Sequence, residues 1–285
     1  MTFRTLFIIV FSLGLTCSLS SQGLEETIKL GDRYYESGQI SEALYYYQRA
    51  AFFSPGGSSP EILIKIADCF GLMGDLERSV EYIDHAYFSG PPDSLRKEII
   101  FKKANAFIST GNYNFALIEL LGMDTNKGSL DERRRSLYLA TAYYWLQDYQ
   151  KASSYFTNSV FNNKSAISEI GEIFNRKQNY MSPNPKTAMW LSVFLPGAGQ
   201  FYSGDFTAGF NSLILTGSLV GLTFYLTKTY HPIDALLTAL PWFQRYYQGG
   251  FEQAKTLAEF KLERKRKETY QEILRIIKES ENFNR

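Results

Sequence analysis

The sequence predicts an all-α protein in three parts: a solenoid of helical hairpins, a transmembrane helical hairpin, and a basic amphipathic C-terminal helix. Three observations predict it. Small and aromatic residues recur four times on one ladder between Leu24 and about residue 165. Asp205 is the one charged residue among the 41 that separate Lys186 from Lys228. Residues 251–282 then carry apolar residues at helical spacing beside a cluster of Lys and Arg. A fixed period implies stacked supersecondary units, and a charge-depleted stretch of about 20 residues implies a membrane span.

Residues 1–21 have the layout of a secretory signal peptide. Arg4 gives a positive start, Leu6 to Leu15 an apolar run of ten residues, and Ser18-Leu19-Ser20 a small-x-small cleavage site. That run is shorter than the roughly 20 residues a spanning helix needs. Two alternatives stay open: lipidation at Cys17, which Gly14-Leu15-Thr16 fits poorly, and an uncleaved anchor. In all three cases the following segment lies outside the cytoplasm.

The ladder occupies a segment assigned to residues 22–178. With Leu24 as position 1, positions 8, 11, 15, 20, 24, 27 and 32 hold Gly31, Tyr34, Gly38, Ala43, Tyr47, Ala50 and Pro55. Counted from Pro60, they hold Ala67, Phe70, Gly74, Ser79, Ile83, Ala86 and Pro91. From Lys97 come Ala104, Phe107, Gly111, Ala116, Leu120 and Met123; from Arg133 come Ala140, Tyr143, Ala152, Phe156 and Ser159.

These rungs resemble the tetratricopeptide repeat, a helix pair with small residues at positions 8, 20 and 27, aromatics at 11 and 24, and Pro at 32. The resemblance covers about half the chain, in four repeats. It implies that the small residues lie where helices cross and that the aromatics fill the remaining gaps. Gly38, Gly74 and Gly111 then end each first helix in a left-handed cap, with Asp75 and Asn112 opening the turn. The fourth repeat has Gln147-Asp148 there, Lys103 replaces an apolar residue in the third, and Lys164 replaces the fourth Pro. Gly56-Gly57-Ser58-Ser59 reads as an insertion between repeats.

The family binds peptides in a concave groove lined by first-helix positions 2, 5, 9, 12 and 13. Carried over, these include Asp32, Tyr35, Asp68, Phe101, Asn105, Tyr144 and Trp145. The groove is then acidic at one end (Glu25, Asp32, Glu36, Glu61, Asp68) and aromatic at the other. Tyr144 and Trp145 are expected to anchor a partner or to pack against residues 166–178.

Residues 179–250 are the membrane part. Thr187–Ser203 is a short first apolar segment, Phe206–Thr227 is 22 residues long, and a third runs from Pro232 to about Tyr247 with Asp234 and Pro241 inside it. Three crossings place the basic tail (Lys261, Arg264, Lys265, Arg266, Lys267) on the cytoplasmic side, which that charge favours; two leave it outside. The tail, residues 251–285, reads as a helix that lies on anionic lipid or stands in solvent. Pro196-Gly197-Ala198-Gly199-Gln200-Phe201-Tyr202-Ser203-Gly204 resembles the Pro-Gly-x-Gly-Gln-x-Tyr signature of a membrane-hairpin domain of bacterial envelope proteins. Tyr247-Gln248-Gly249-Gly250 matches its second element except that Gly250 replaces Asn. In physical terms Pro196 breaks the helix, Gly197 and Gly199 allow close contact, Gln200 satisfies freed backbone groups, and Tyr202 suits the interface.

Net charge of +1 gives no footprint for nucleic acid. The two histidines, His85 and His231, are far apart, and no Cys/His spacing suits a metal. No phosphate loop, dinucleotide fingerprint or nucleophile elbow is present, so the sequence points to a non-enzymatic protein without cofactors. Cys69 reads as a packed thiol. The expected function is a membrane-anchored extracytoplasmic scaffold, at the bacterial inner membrane with repeats on the periplasmic side. Its expected partners are a protein or peptide in the groove and the bilayer, with self-association open. The alternative is a membrane component that handles lipid or a transported solute under control of the repeats.

Overall fold

The computed structural model describes residues 23–54, 59–160, 163–176, 178–229 and 232–282. The leader with Cys17, the Pro55 rung, most of the Gly56-Gly57-Ser58-Ser59 insertion and His231 lie outside the described residues. Every regular element among the described residues is helical. The chain divides into two compact units, Met1–Phe161 and Asn162–Arg285.

The first unit contains α1 (Leu24–Glu36), α2 (Ile40–Phe53), α3 (Pro60–Leu72), α4 (Leu76–Phe88), α5 (Asp93–Ser109), α6 (Tyr113–Leu121), α7 (Leu130–Trp145) and α8 (Tyr149–Ser159). They pack as α1/α2, α3/α4, α5/α6 and α7/α8, and each pair contacts the next through α2/α3, α4/α5 and α6/α7. The turn inside each pair is made the same way. The N–H of Gly38, Gly74, Gly111 and Gln147 donates three residues back, and the next N–H donates five residues back, from Gln39 to Tyr34 and from Asp148 to Tyr143. This is the Schellman closure, which needs a left-handed residue. The three glycines supply it with φ of 76–81°, and Gln147 adopts it without being glycine, at φ 66°. Asp75 and Asp148 then cap α4 and α8 by accepting from the N–H groups of Arg78 and Lys151.

The ladder residues form the core. Gly31, Ala43, Ala50, Ala67, Ser79, Ala86, Ala104, Ala116, Ala140 and Ala152 are buried, as are Tyr47, Ile83, Leu120 and Phe156 at position 24. A Cβ on Gly31 would lie 2.7 Å from the Tyr47 ring, so the small and large rungs specify one another. In three pairs the aromatic at position 11 stacks on the ring just before position 24: Tyr34 on Tyr46, Phe70 on Tyr82 and Tyr143 on Tyr155, at 5.3, 5.4 and 5.5 Å. Lys103 is not a defect in the pattern. Its ammonium joins Asp84 on α4 at 2.7 Å to Glu119 on α6 at 2.6 Å. Burial alone would lower its pKa, but the two carboxylates outweigh that and raise it.

The second unit contains α9 (Lys164–Asn175), α10 (Gln178–Met181), α11 (Pro185–Phe194), α12 (Ala198–Tyr202), α13 (Phe206–Thr229) and α14 (Pro232–Asn282). All five shorter helices pack on α14, which is 51 residues long. Two expected boundaries move. α9 belongs with this unit and not with the repeats, because Ala166, Ile170, Ile173 and Phe174 are buried and α9 packs on α14. The third apolar segment and the charged tail are one helix, so no boundary falls at 250, and Pro241 lies within it.

Candidate functional site

Two places draw together the residues that the sequence singled out, one in each unit. In the first unit, a groove of about 270 Å³ is lined by Tyr35 of α1, Asp68, Gly71 and Leu72 of α3, and Lys102, Asn105 and Ser109 of α5. Tyr35, Asp68 and Asn105 are thus brought together as expected, and Asn105 is exposed.

The expected acidic end of this groove is partly neutralised. Three of its carboxylates are paired from the neighbouring helix pair: Asp32 with Lys65, Asp68 with Lys102 at 2.7 Å, and Glu98 with Arg134 through two contacts, the shorter 2.5 Å, while Glu25 pairs with Lys29 on its own helix. Asp32 also accepts from the Tyr47 hydroxyl at 2.6 Å. Burial would raise the Asp32 carboxyl, yet the bonds from Lys65 and Tyr47 together hold it below its ordinary value. The same arrangement raises the Tyr47 phenol, through burial first and the Asp32 bond second. The carried-over groove positions omitted position 6, which supplies Lys65 and Lys102. A lysine 33 or 34 residues after a groove aspartate was the available signal.

At the aromatic end, packing is the alternative that Tyr144 follows, against neighbours of its own pair. Tyr144 is 1% exposed and packs against Trp145, Tyr149 and Phe156, at ring separations of 5.6, 5.5 and 6.4 Å. Phe101 is also 1% exposed, with the Arg134 guanidinium 4.3 Å above its ring. Trp145 is half-buried. Tyr144 and Phe101 therefore hold the helices together and cannot anchor a partner. Cys69 is a fully buried thiol, pushed up to about 11 by burial.

In the second unit the glycine-rich signature forms a joint. Pro196 cannot donate an N–H, and it forces Leu195 into extended backbone (φ −137°, ψ 109°), which ends α11. Gly197 opens α12 at φ 91°. A Cβ there would lie 2.3 Å from the carbonyl of Gly209 on α13. A Cβ on Gly199 would lie 1.9 Å from the carbonyl of Ala188 on α11. Gln200 is 0% exposed, with both ends of its amide bonded. The Gly199 N–H donates to Ser192 Oγ at 2.9 Å, Ser192 donates to Gln200 Oε1 at 2.9 Å, and Gln200 Nε2 donates to the Gly250 carbonyl at 2.8 Å. Tyr247 donates to the Val193 carbonyl. The two signature elements, 50 residues apart, thus meet.

Tyr202 accepts from the Asn184 N–H at 3.2 Å, and Gly204, at φ 75°, makes the same Schellman turn as the repeats. Sequence reasoning missed Ser192, Gly209 and Lys261, whose ammonium caps α12 at the Ser203 carbonyl, 2.7 Å away. A small or hydrogen-bonding residue in an apolar stretch was the only signal for the first two.

The apolar helices are unequal. α13, with 24 residues, is the one helix among the described residues long and apolar enough to cross a membrane, and only 11% of that stretch is buried. The expected first segment is cut into helices of 10 and 5 residues, about 15 and 8 Å at 1.5 Å per residue, too short for a core of about 30 Å. α14 runs back along α13, since Gly250 lies beside Ser212 while Ala239 and Phe243 lie beside Val220 and Thr227. The tail's cations are largely used within the unit. Lys261 and Arg266 donate to the Ser203 and Tyr180 carbonyls, and Arg264 and Lys267 pair with Glu268 and Glu263. Its apolar residues Ile273, Ile276 and Ile277 are buried, so this face of the tail is covered by protein. No protein-family model matches this chain, and none of the curated proteins compared with it matches.

Proposed function

We propose that this protein is a membrane-anchored scaffold, with tetratricopeptide-like helix pairs that bind a protein or peptide outside the cytoplasm, at the bacterial inner membrane in cell-envelope assembly or secretion. The carrying observation is the pairing, in one chain, of serial helix pairs around an open groove with a 24-residue apolar helix that the chain leaves uncovered. Exposed apolar surface on that scale calls for another apolar phase. The four identical turns and the interlocking small and aromatic rungs support the repeat reading. The groove offers Tyr35 and Leu72 as apolar contacts and the Asn105 amide as a backbone clamp.

The antiparallel course of α13 and α14 supports a hairpin that enters the bilayer and returns, in place of three crossings. Residues 184–205 and the tail then lie on one side. The solute-transport alternative draws no support from Gln200, whose amide is committed to structural bonds.

The test is affinity capture from native membranes solubilised in detergent. The Tyr35→Ala, Asn105→Ala double variant, with unchanged circular dichroism, is expected to lose a partner that the parent chain retains. Equal recovery would contradict the groove's role.

A further inference from the structure

The α13–α14 hairpin carries a second apolar feature that the scaffold reading does not use. A groove of about 420 Å³ runs between the two helices, walled by Val220, Phe224 and Thr227 on one side and Ala239, Leu240 and Phe243 on the other. That volume falls within the roughly 300–1,000 Å³ typical of small-molecule sites. Its hydroxyls are turned away from any ligand: Thr223 donates to the Leu219 carbonyl at 2.7 Å, and Thr227 to the Phe224 carbonyl at 2.8 Å. The walls therefore present hydrocarbon, and an occupant must be apolar along this length.

One cation stands at the edge of the groove. Lys228 follows the wall residue Thr227 and places its ammonium 4.7 Å from the centre of the Phe224 ring, at the groove's edge. It is exposed. Lys228 is the penultimate residue of α13, where a spanning helix reaches the polar boundary of the bilayer. From there Thr227, Phe224 and Val220 step inward along α13 over about 10 Å, at 1.5 Å per residue. Charge at the interface with an apolar channel directly beneath it is the layout of an anionic phospholipid.

We propose that this groove binds one anionic phospholipid, its headgroup phosphate on Lys228 and an acyl chain between α13 and α14. The proposal rests on the membrane reading of α13. A retained lipid would fill the space between the helices and so stiffen a hairpin whose first helix is otherwise little covered.

The experiment is native mass spectrometry of the full-length protein in detergent, titrated with phosphatidylglycerol or phosphatidylcholine of the same chains. The expected result is a first phosphatidylglycerol adduct at a concentration at least tenfold below that for phosphatidylcholine. Lys228→Gln, an exposed change, weakens phosphatidylglycerol binding more than phosphatidylcholine binding and so removes most of that tenfold preference. Val220→Trp, which fills the groove from its exposed wall, lowers binding of both lipids at least fivefold with helix content intact. Equal binding of the two lipids by the parent chain, or parent-like binding by both variants, overturns the proposal. So does a dimer whose formation excludes lipid. Release of the chain from membranes by alkaline carbonate without detergent removes the membrane reading itself, whereas a retained chain indifferent to phosphatidylglycerol removes only the lipid site.

Discussion

Glycine serves two purposes in this chain, and the turns of the first unit and the joint of the second show them most clearly. In the repeats Gly38, Gly74 and Gly111 provide a left-handed turn, and a Cβ at any of them would meet nothing within 4 Å. In the second unit Gly199 and Gly209 have ordinary dihedrals, yet a Cβ would strike a carbonyl at 1.9 Å or the Phe201 ring at 2.5 Å. The first kind of glycine is dispensable at the cost of strain. The second kind lets a neighbouring backbone or ring come into contact, as in helix contacts that lack a hydrophobic driving force. The repeats are thus held by interlocked side chains and the joint by approaching main chains.

This contrast ranks the effects of substitution. Gly199→Ala is the largest, because its Cβ meets backbone that cannot swing aside. About 3 kcal/mol or more is expected, at or beyond the upper end for overpacking, read as loss of cooperative thermal unfolding in detergent. Gln200→Leu comes next. It keeps the volume but leaves Ser192 and the Gly250 carbonyl short of their shared partner, for a loss of about 1–3 kcal/mol by the same measurement. If Gln200→Leu were neutral, the joint would be packing alone.

Smaller effects belong to the repeats. Gly74→Ala should cost about 1–2 kcal/mol, the strain of a left-handed residue with a side chain. Gln147→Gly should move in the opposite direction by about 0.5 kcal/mol, since relief of that strain outweighs the added chain entropy. Equal signs for the two would contradict the shared turn. Acidification gives the mildest change. The Asp32 carboxyl is held below its ordinary value, so its contribution is present above about pH 4 and fades as pH falls through its folded value. Asp32→Asn should flatten the acid limb of a stability–pH curve.

Legibility in the sequence follows the range of the interaction. The turns and rungs are local, and spacing alone placed Gly38, Ala43 and Tyr47 correctly. Gln147 broke the glycine rule because the closure constrains φ and not residue type. Groove charge was legible only in part because Asp32 and Lys65 meet across pairs, 33 residues apart. The sequence left Tyr144 open between anchor and packing residue because position in a repeat does not reveal which aromatic its neighbours cover. The joint could be located but not decoded. Pro196 and the glycines marked a break, while the bond from Gln200 to Gly250 spans 50 residues and appears only once α14 folds back.

The most direct test of the membrane-anchored account is the sidedness of the hairpin. Single cysteines at Lys186, Thr229 and Glu259, in a Cys17→Ser background with Cys69 buried, would be probed in sealed native vesicles with a membrane-impermeant maleimide. The account predicts that Lys186→Cys and Glu259→Cys react from the same face and Thr229→Cys only from the other. Reaction of Lys186→Cys and Glu259→Cys from opposite faces, or of all three from one face, would contradict it.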